Sequence, residues 1–247
     1  MFCLGLHTLF RCLVTVLTIV NAFLLAYLYF GCQNTSHSSI YAARFSFNQS
    51  SPVLGLLADS YNSTVDLKLY VGFSGVCYKT TGAMQCTTQV DALEKKFPGI
   101  ALYDSTSNST AATLDIVRVA SKFEDTVDPR AVLTNLVLIL FTFGASAYTS
   151  LPFMPWKHVA QTVLAGVSLL AAIMCGFTTM WLHVAVETAT RLISPGSMGV
   201  INVVAGNSAA AMAWTSFVFT LLVALAAIWL FVKSKRAEQP NNLRAKV

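Results

Sequence analysis

Cys77 and Cys86 stand with eight residues between them, in a polar stretch that opens Gly72-Phe73-Ser74-Gly75-Val76-Cys77. Two thiols so placed can be oxidised to a disulfide when two short strands bring them opposite each other. No nucleophile–base pair and no metal-ligand spacing accompanies them, so the chemistry on offer is a covalent staple rather than a reaction centre. A second set is acidic: Glu124, Asp125 and Asp128. Carboxylates are hard oxygen ligands that attract Ca²⁺, but the spacing fits no EF-hand loop. With Lys122 and Arg130 beside them they read first as a solvated acidic patch, and second as a weak concentrator of cations. A third set, His183, Glu187 and Arg191, repeats every four residues and so shares one helix face. Glu187 is expected to pair with Arg191; a cation-sensing role for His183 and Glu187 is the sharper alternative. None of these sets is a catalytic constellation. The expectation is a protein that is not an enzyme and needs no cofactor or resident metal.

The elements that must position these groups follow from the charge distribution. Of 247 residues, 55% are hydrophobic and only 11% charged, with mean hydropathy +0.62. Soluble domains run near roughly a quarter charged, so lipid is part of the solvent here. Leu13 to Phe30, Ala131 to Trp156 and Gly196 to Val232 carry no charge, and His158 to Val186 holds only two histidines as ionisable groups. A hydrocarbon core of about 30 Å takes roughly 20 helical residues. Four spans are predicted at 12–30, 131–151, 158–188 and 207–232. The first is too long, and Tyr27 and Tyr29 are too bulky beside Gly31, for a cleaved signal peptide.

Basic residues orient the spans. Arg11, Lys157, Lys233, Lys235, Arg236, Arg244 and Lys246, against the single acid Glu238, assign segments 1–11, 152–157 and 233–247 to the cytoplasm. Segments 31–130 and 189–206 are then external. The sequons at Asn34, Asn48, Asn62 and Asn108 all fall in 31–130, which agrees, and Asn48, Asn62 and Asn108 are the candidate glycosylation sites. The basic surplus lies on the cytoplasmic side and is explained by orientation and anionic inner-leaflet lipids; nothing points to nucleic acid. The fold class expected is a four-helix transmembrane bundle carrying a small disulfide-containing α+β extracellular domain.

Within 31–130, Leu67 to Val71 reads as a strand, Val76 to Lys79 as a second and Met84 to Thr88 as a third, which would place Cys77 opposite Cys86. Gly72 and Gly75 supply a bulge or let another backbone come close. Cys32 is a third external cysteine, expected free and buried at the membrane edge, with pairing between chains as the alternative. Val90 to Phe97 reads as a short helix, and Ala111 to Phe123 as an amphipathic one with Ile116, Val119, Ala120 and Phe123 on its apolar face and Val117 on the other side. In the spans, Ala165, Ser168, Ala172, Cys175 and Thr179, then Ala213, Ser216, Thr220, Ala224 and Ala227, form small-residue stripes suited to close helix packing or to a homo-oligomer contact. Cys3 and Cys12 sit where S-palmitoylation occurs.

The order Gly-apolar-small-Gly-x-Cys, then a nearby Cys, in the first external loop of a four-span chain resembles the signature of the claudin superfamily. Gly72, Phe73, Gly75, Cys77 and Cys86 carry that resemblance. The segment departs from the Gly-Leu-Trp form of animal claudins, because 31–130 contains no Trp. In this it is similar to the fungal mating branch: pheromone-induced membrane proteins that regulate low-affinity calcium influx and membrane fusion. The resemblance implies a claudin-like fold in which Gly72, Gly75, Cys77 and Cys86 matter for localisation and activity. It also implies a multi-pass plasma-membrane protein with both termini cytoplasmic, acting at the mating tip. Membrane lipids, calcium-channel components or further copies of the chain, and the opposing cell membrane are the partners it implies. The competing readings are a tetraspan organiser of cortical membrane domains or cell-wall signalling, and an auxiliary subunit of a cation channel. No span carries the repeated acidic or carbonyl pattern of a selectivity filter.

Overall fold

The computed structural model describes residues 2–51, 66–80, 82–97, 99–103, 110–150 and 156–244. Among the described residues six α-helices and seven strands lie in the order α1 (Phe2–Tyr29), β1 (Ala43–Phe47), β2 (Lys68–Val71), β3 (Val76–Lys79), β4 (Gln85–Thr87), α2 (Val90–Lys96), β5 (Ile100–Tyr103), β6 (Thr110–Leu114), α3 (Ile116–Thr126), α4 (Pro129–Ser150), α5 (Lys157–Gly196), β7 (Ile201–Ala205) and α6 (Asn207–Arg244). Among the described residues four helical stretches are long and apolar enough to cross a membrane: Cys12–Tyr29, Ile116–Thr149, Val159–Gly196 and Asn207–Arg236. Each overlaps one of the four spans expected from the sequence. The chain divides into two compact units. One holds 1–26, 130–179 and 212–247; the other holds 27–129 and 180–211.

The helical unit packs through small and hydroxylated side chains. Ser168, Ala172, Cys175 and Thr179 on α5 are buried, as are Ala213, Ser216, Thr220, Ala224 and Ala227 on α6. The two stripes meet: Cys175 Sγ lies 3.8 Å from Ser216 Oγ, and Thr179 Oγ1 donates to Ala213 O at 3.4 Å. Asn21 of α1 completes the seam, donating from Nδ2 to Thr220 Oγ1 at 2.7 Å and accepting from Ser216 Oγ at 2.6 Å. In hydrocarbon each of these polar atoms needs a protein partner, so the network fixes which faces of α1, α5 and α6 meet. Large apolar side chains such as Phe141, Ile173 and Phe177 point outward instead.

The second unit is built on a five-stranded antiparallel sheet of order β4-β3-β2-β1-β7. Ala43, Phe45 and Phe47 alternate inward along β1, and Leu69 and Val71 do so on β2. Against them lies α3, whose Ile116, Val117, Ala120 and Phe123 are buried; the Phe123 ring meets that of Phe45 edge-on at 5.5 Å between centroids. The strand β7 comes from the segment between the third and fourth spans and pairs with β1 from Ala43↔Ala205 to Phe47↔Ile201. The last strand of the sheet therefore arrives from more than a hundred residues away.

Several local expectations need correction. Ala111 to Phe123 is not one helix: β6 runs to Leu114 and α3 begins at Ile116, because the Asp115 carboxylate accepts from the backbone N–H groups of Val117 and Arg118, both at 3.0 Å, as an N-cap. Within the helix Val117 stands one turn before Ala120 and is buried with it, so it lies in the core rather than on the other side. The helix that holds the third span runs on to Gly196, in keeping with a Glu187–Arg191 pair on one helix, and 189–206 holds the end of that helix and β7. The fourth helix likewise runs beyond 232 to Arg244.

Candidate functional site

The hairpin motif is assembled from a turn, a covalent tie and a backbone approach. Gly72 N donates to Gly75 O at 2.9 Å, closing the turn between β2 and β3. Cys77 and Cys86 then face each other directly across the β3–β4 ladder and are joined by a disulfide. The opposite register is what the sequence predicts, and the bond forms there. Beside it, Lys96 of α2 donates to Tyr78 Oη at 2.7 Å, and that hydroxyl bonds to Gln85 Oε1, so α2 is tethered to both strands.

The glycines serve the second of the two roles considered for them. A Cβ on Gly72 would stand 2.4 Å from the carbonyl oxygen of Gly31 and 2.8 Å from Cys32 Cβ; one on Gly75 would stand 2.7 Å from Cys32 O. The 72–75 turn is thus a socket that receives the corner at Gly31–Cys32, where the chain leaves α1. Ser74 Oγ donates to Tyr29 O at 2.6 Å and so satisfies a carbonyl left open at the helix end. Phe73 is buried at 2% exposure. Cys77 Sγ lies 3.4 Å from Cys32 O, a packing contact, since a bridged sulfur has no hydrogen to donate. Cys32 itself holds a left-handed φ of 60°, rare for a side chain with a Cβ, and is fully buried as a free thiol. Burial pushes its pKa up to about 12, against a small lowering from the contact with Cys77, so the thiol stays protonated and unreactive.

Sequence reasoning misses this corner as the partner of the motif. Gly31 draws notice only as a small residue near a conceivable cleavage point. It misses Gly206 too, where a Cβ would fall 1.7 Å from Tyr41 O at the junction of β7 and α6. Both signals are present as glycines next to span ends, but nothing local says which backbone they admit.

The remaining candidate residues are more dispersed. Arg191 Nε donates to Glu187 Oε1 at 2.7 Å in an exposed i,i+4 pair, as expected. Asp125 pairs with Lys122 at 3.2 Å on the α3 surface, and among the described residues no three His, Cys, Asp or Glu side chains converge as metal ligands would. Asn48 is partly buried: its Nδ2 donates to Gly199 O at 3.0 Å and its backbone N to Val200 O at 2.8 Å. Asn62 and Asn108 lie outside the described residues.

The pKa of Glu124 is displaced upward. Partial burial, reinforced by the neighbouring Asp125 charge, raises it to about 7. Below about 4.5 the folded and unfolded chains are both protonated at this position. Between there and about 7 the unfolded chain loses its proton first, so folding stability falls through that window and stays lower above it. Thermal unfolding of purified Glu124→Gln is expected to show less loss of Tm between pH 4.5 and pH 7.5 than the parent chain. An unchanged pH slope would remove Glu124 as the group responsible.

Comparison with known proteins places this architecture. Residues 57–234 match the model of a family described as "Ca2+ regulator and membrane fusion protein Fig1". The Factor-induced gene 1 protein of Saccharomyces cerevisiae is 25% identical over 254 aligned residues, covering 92% of this chain and 85% of that protein. The family match takes in the hairpin, both of its cysteines, β7 and the last three spans, well over half of the chain, and the chain belongs to the Fig1 family of Ca²⁺ regulators and membrane fusion proteins.

Proposed function

We propose that this chain promotes calcium influx and plasma-membrane fusion between mating fungal cells, acting without catalysis. The observation that carries the reading is the family match across 57–234, which contains the Gly72–Cys86 hairpin together with the spans that follow it. Mating enters through the yeast relative, whose name describes a factor-induced gene product. In this reading the two units divide the work. The helical unit anchors the chain in the plasma membrane with both termini cytoplasmic, an orientation supported by the basic residues of 1–11, 152–157 and 233–247. The sheet unit stands outside, claudin-like in plan, where an oxidising compartment maintains Cys77–Cys86.

The hairpin's role is to present a surface of fixed shape to calcium-channel components or to the opposing membrane at the mating tip. Asn48, Asn62 and Asn108 carry glycans in this orientation, and Glu124, Asp125 and Asp128 add local negative potential that draws cations without holding one. The test is deletion in one mating type, with calcium uptake and cell–cell fusion scored after exposure to a partner. Both are expected to fall and to return with the intact chain. Normal values for both in the deletant would reject the reading.

A further inference from the structure

The sheet unit carries a groove of about 730 Å³ between α3 and residues 181–193 of α5. Its floor is Val119, Phe123 and Ala189, and its α5 wall carries Trp181, Val184 and Leu192, three and then eight residues apart along one side of the helix. Those three side chains are 51%, 58% and 63% exposed, so the described residues leave about half or more of each open. The α3 wall is different in kind. Arg118 and Lys122, one helical turn apart, rise along it as a basic rim. Lys122 also meets Asp125, and the Asp115 carboxylate at the groove's far end is occupied as the cap of α3. Trp181 Nε1 donates to Thr126 O at 3.0 Å, fixing the end of α3 against α5.

Length and direction say what such a groove holds. With 40 residues, α5 is about 60 Å long, roughly twice a hydrocarbon core. The apolar stripe therefore begins inside the third span, at Trp181 and Val184, and runs on to Leu192 beyond residue 188. It starts at a Trp, the side chain that favours the lipid–water boundary. Exposed apolar surface rimmed by charge marks an interaction site, and two cations one turn apart suit a phosphate.

We propose that the groove binds a phospholipid drawn from the membrane that α5 crosses. Its acyl chain lies along Val184 and Trp181 and its phosphate meets Arg118 and Lys122. A lipid so held keeps its tail along the outer end of the third span and has its headgroup displaced along α5, a geometry relevant to fusion. The binding itself rests only on the membrane-spanning character of the chain, whereas the use in fusion rests on the function proposed above.

The test uses the full-length chain in detergent micelles, titrated with dioleoylphosphatidylcholine or with dioleoylglycerol and read by native mass spectrometry. One phosphatidylcholine per chain is expected, with at least tenfold weaker binding of the phosphate-free dioleoylglycerol. Arg118→Glu with Lys122→Glu should weaken phosphatidylcholine at least tenfold, and so should Thr188→Trp, which fills the groove without changing charge. Arg118→Gln with Lys122→Gln is the milder variant if the reversed pair does not fold, and intact Cys77–Cys86 on non-reducing gels checks folding in each case. Equal retention by all variants, or equal retention of both lipids, would overturn the proposal. A dimer that the groove variants dissociate, with no lipid retained, would overturn it in favour of a second copy as the occupant. Because no cells are involved, failure here leaves the calcium and fusion reading standing, and failure of the mating assay leaves the lipid site standing.

Discussion

Gly72→Ala is expected to cost the sheet unit more than about 3 kcal/mol and to abolish complementation of calcium uptake in a deletant. The reason is which atoms stand in the way. An added methyl at Gly72 meets Gly31 O at 2.4 Å and its carbonyl carbon at 2.9 Å, and these are backbone atoms that cannot swing aside as a side chain would. Relief requires moving the corner that follows α1, and that corner is held by several bonds at once. Ser74 binds Tyr29 O, Cys32 N donates to His37 O at 3.3 Å, and Ile40 N donates to His37 O at 3.2 Å. Gly75→Ala meets Cys32 O at 2.7 Å and should behave alike, somewhat more mildly. Gly82→Ala is the matched control, since nothing lies within 4 Å of its added Cβ. It should fall within about 0.5 kcal/mol of the parent chain. Thermal unfolding of the three purified variants decides the matter. If Gly72→Ala melts with Gly82→Ala, the socket is not what the motif glycines are for.

The parts of this fold that were legible in the sequence are those governed by local pattern. Uncharged runs gave the four spans, and the alternation around Val76 to Thr88 gave a hairpin with Cys77 opposite Cys86. The stripes from Ser168 to Thr179 and from Ala213 to Ala227 gave the faces on which α5 and α6 meet. The parts that were not legible depend on pairings between distant segments. Neither Ala43–Phe47 nor Ile201–Ala205 announces a strand alone, and each is completed by the other across more than 150 residues. The start of α3 was not legible either, being set by the capping carboxylate of Asp115, and Val117, one turn before Ala120, enters the core with it. The site follows the same division. Its cysteines were readable from spacing, but the partner of its glycines, Gly31–Cys32, is set by tertiary approach. A glycine records that some backbone comes near without saying which one.

Removing the disulfide is the second change with a large expected effect. In the chain-entropy account, closing the loop from Cys77 to Cys86 restrains the unfolded chain by about 2–3 kcal/mol. Cys77 is fully buried on β3, so the replacement matters as much as the lost bond. Cys77→Ala with Cys86→Ala should lose about the entropic amount and keep an apolar interior. Cys77→Ser buries a hydroxyl and should cost roughly 1–2 kcal/mol more, because the new group has to find a partner there or go without. Cys32→Ala should be milder, since its thiol donates over a long 3.5 Å to Ile40 O and already behaves as a small apolar group. The functional loss from the double alanine variant should exceed the loss from a control of equal ΔTm placed elsewhere in the sheet unit, for example at Ile116. The bond fixes the strands on which the 72–75 turn is mounted, and that turn receives the corner of α1. Calcium uptake and fusion measured at matched stability separate the two effects. If both variants retain equal activity, the disulfide only stabilises the domain; if the alanine pair is selectively inactive, it sets the shape that the partner meets.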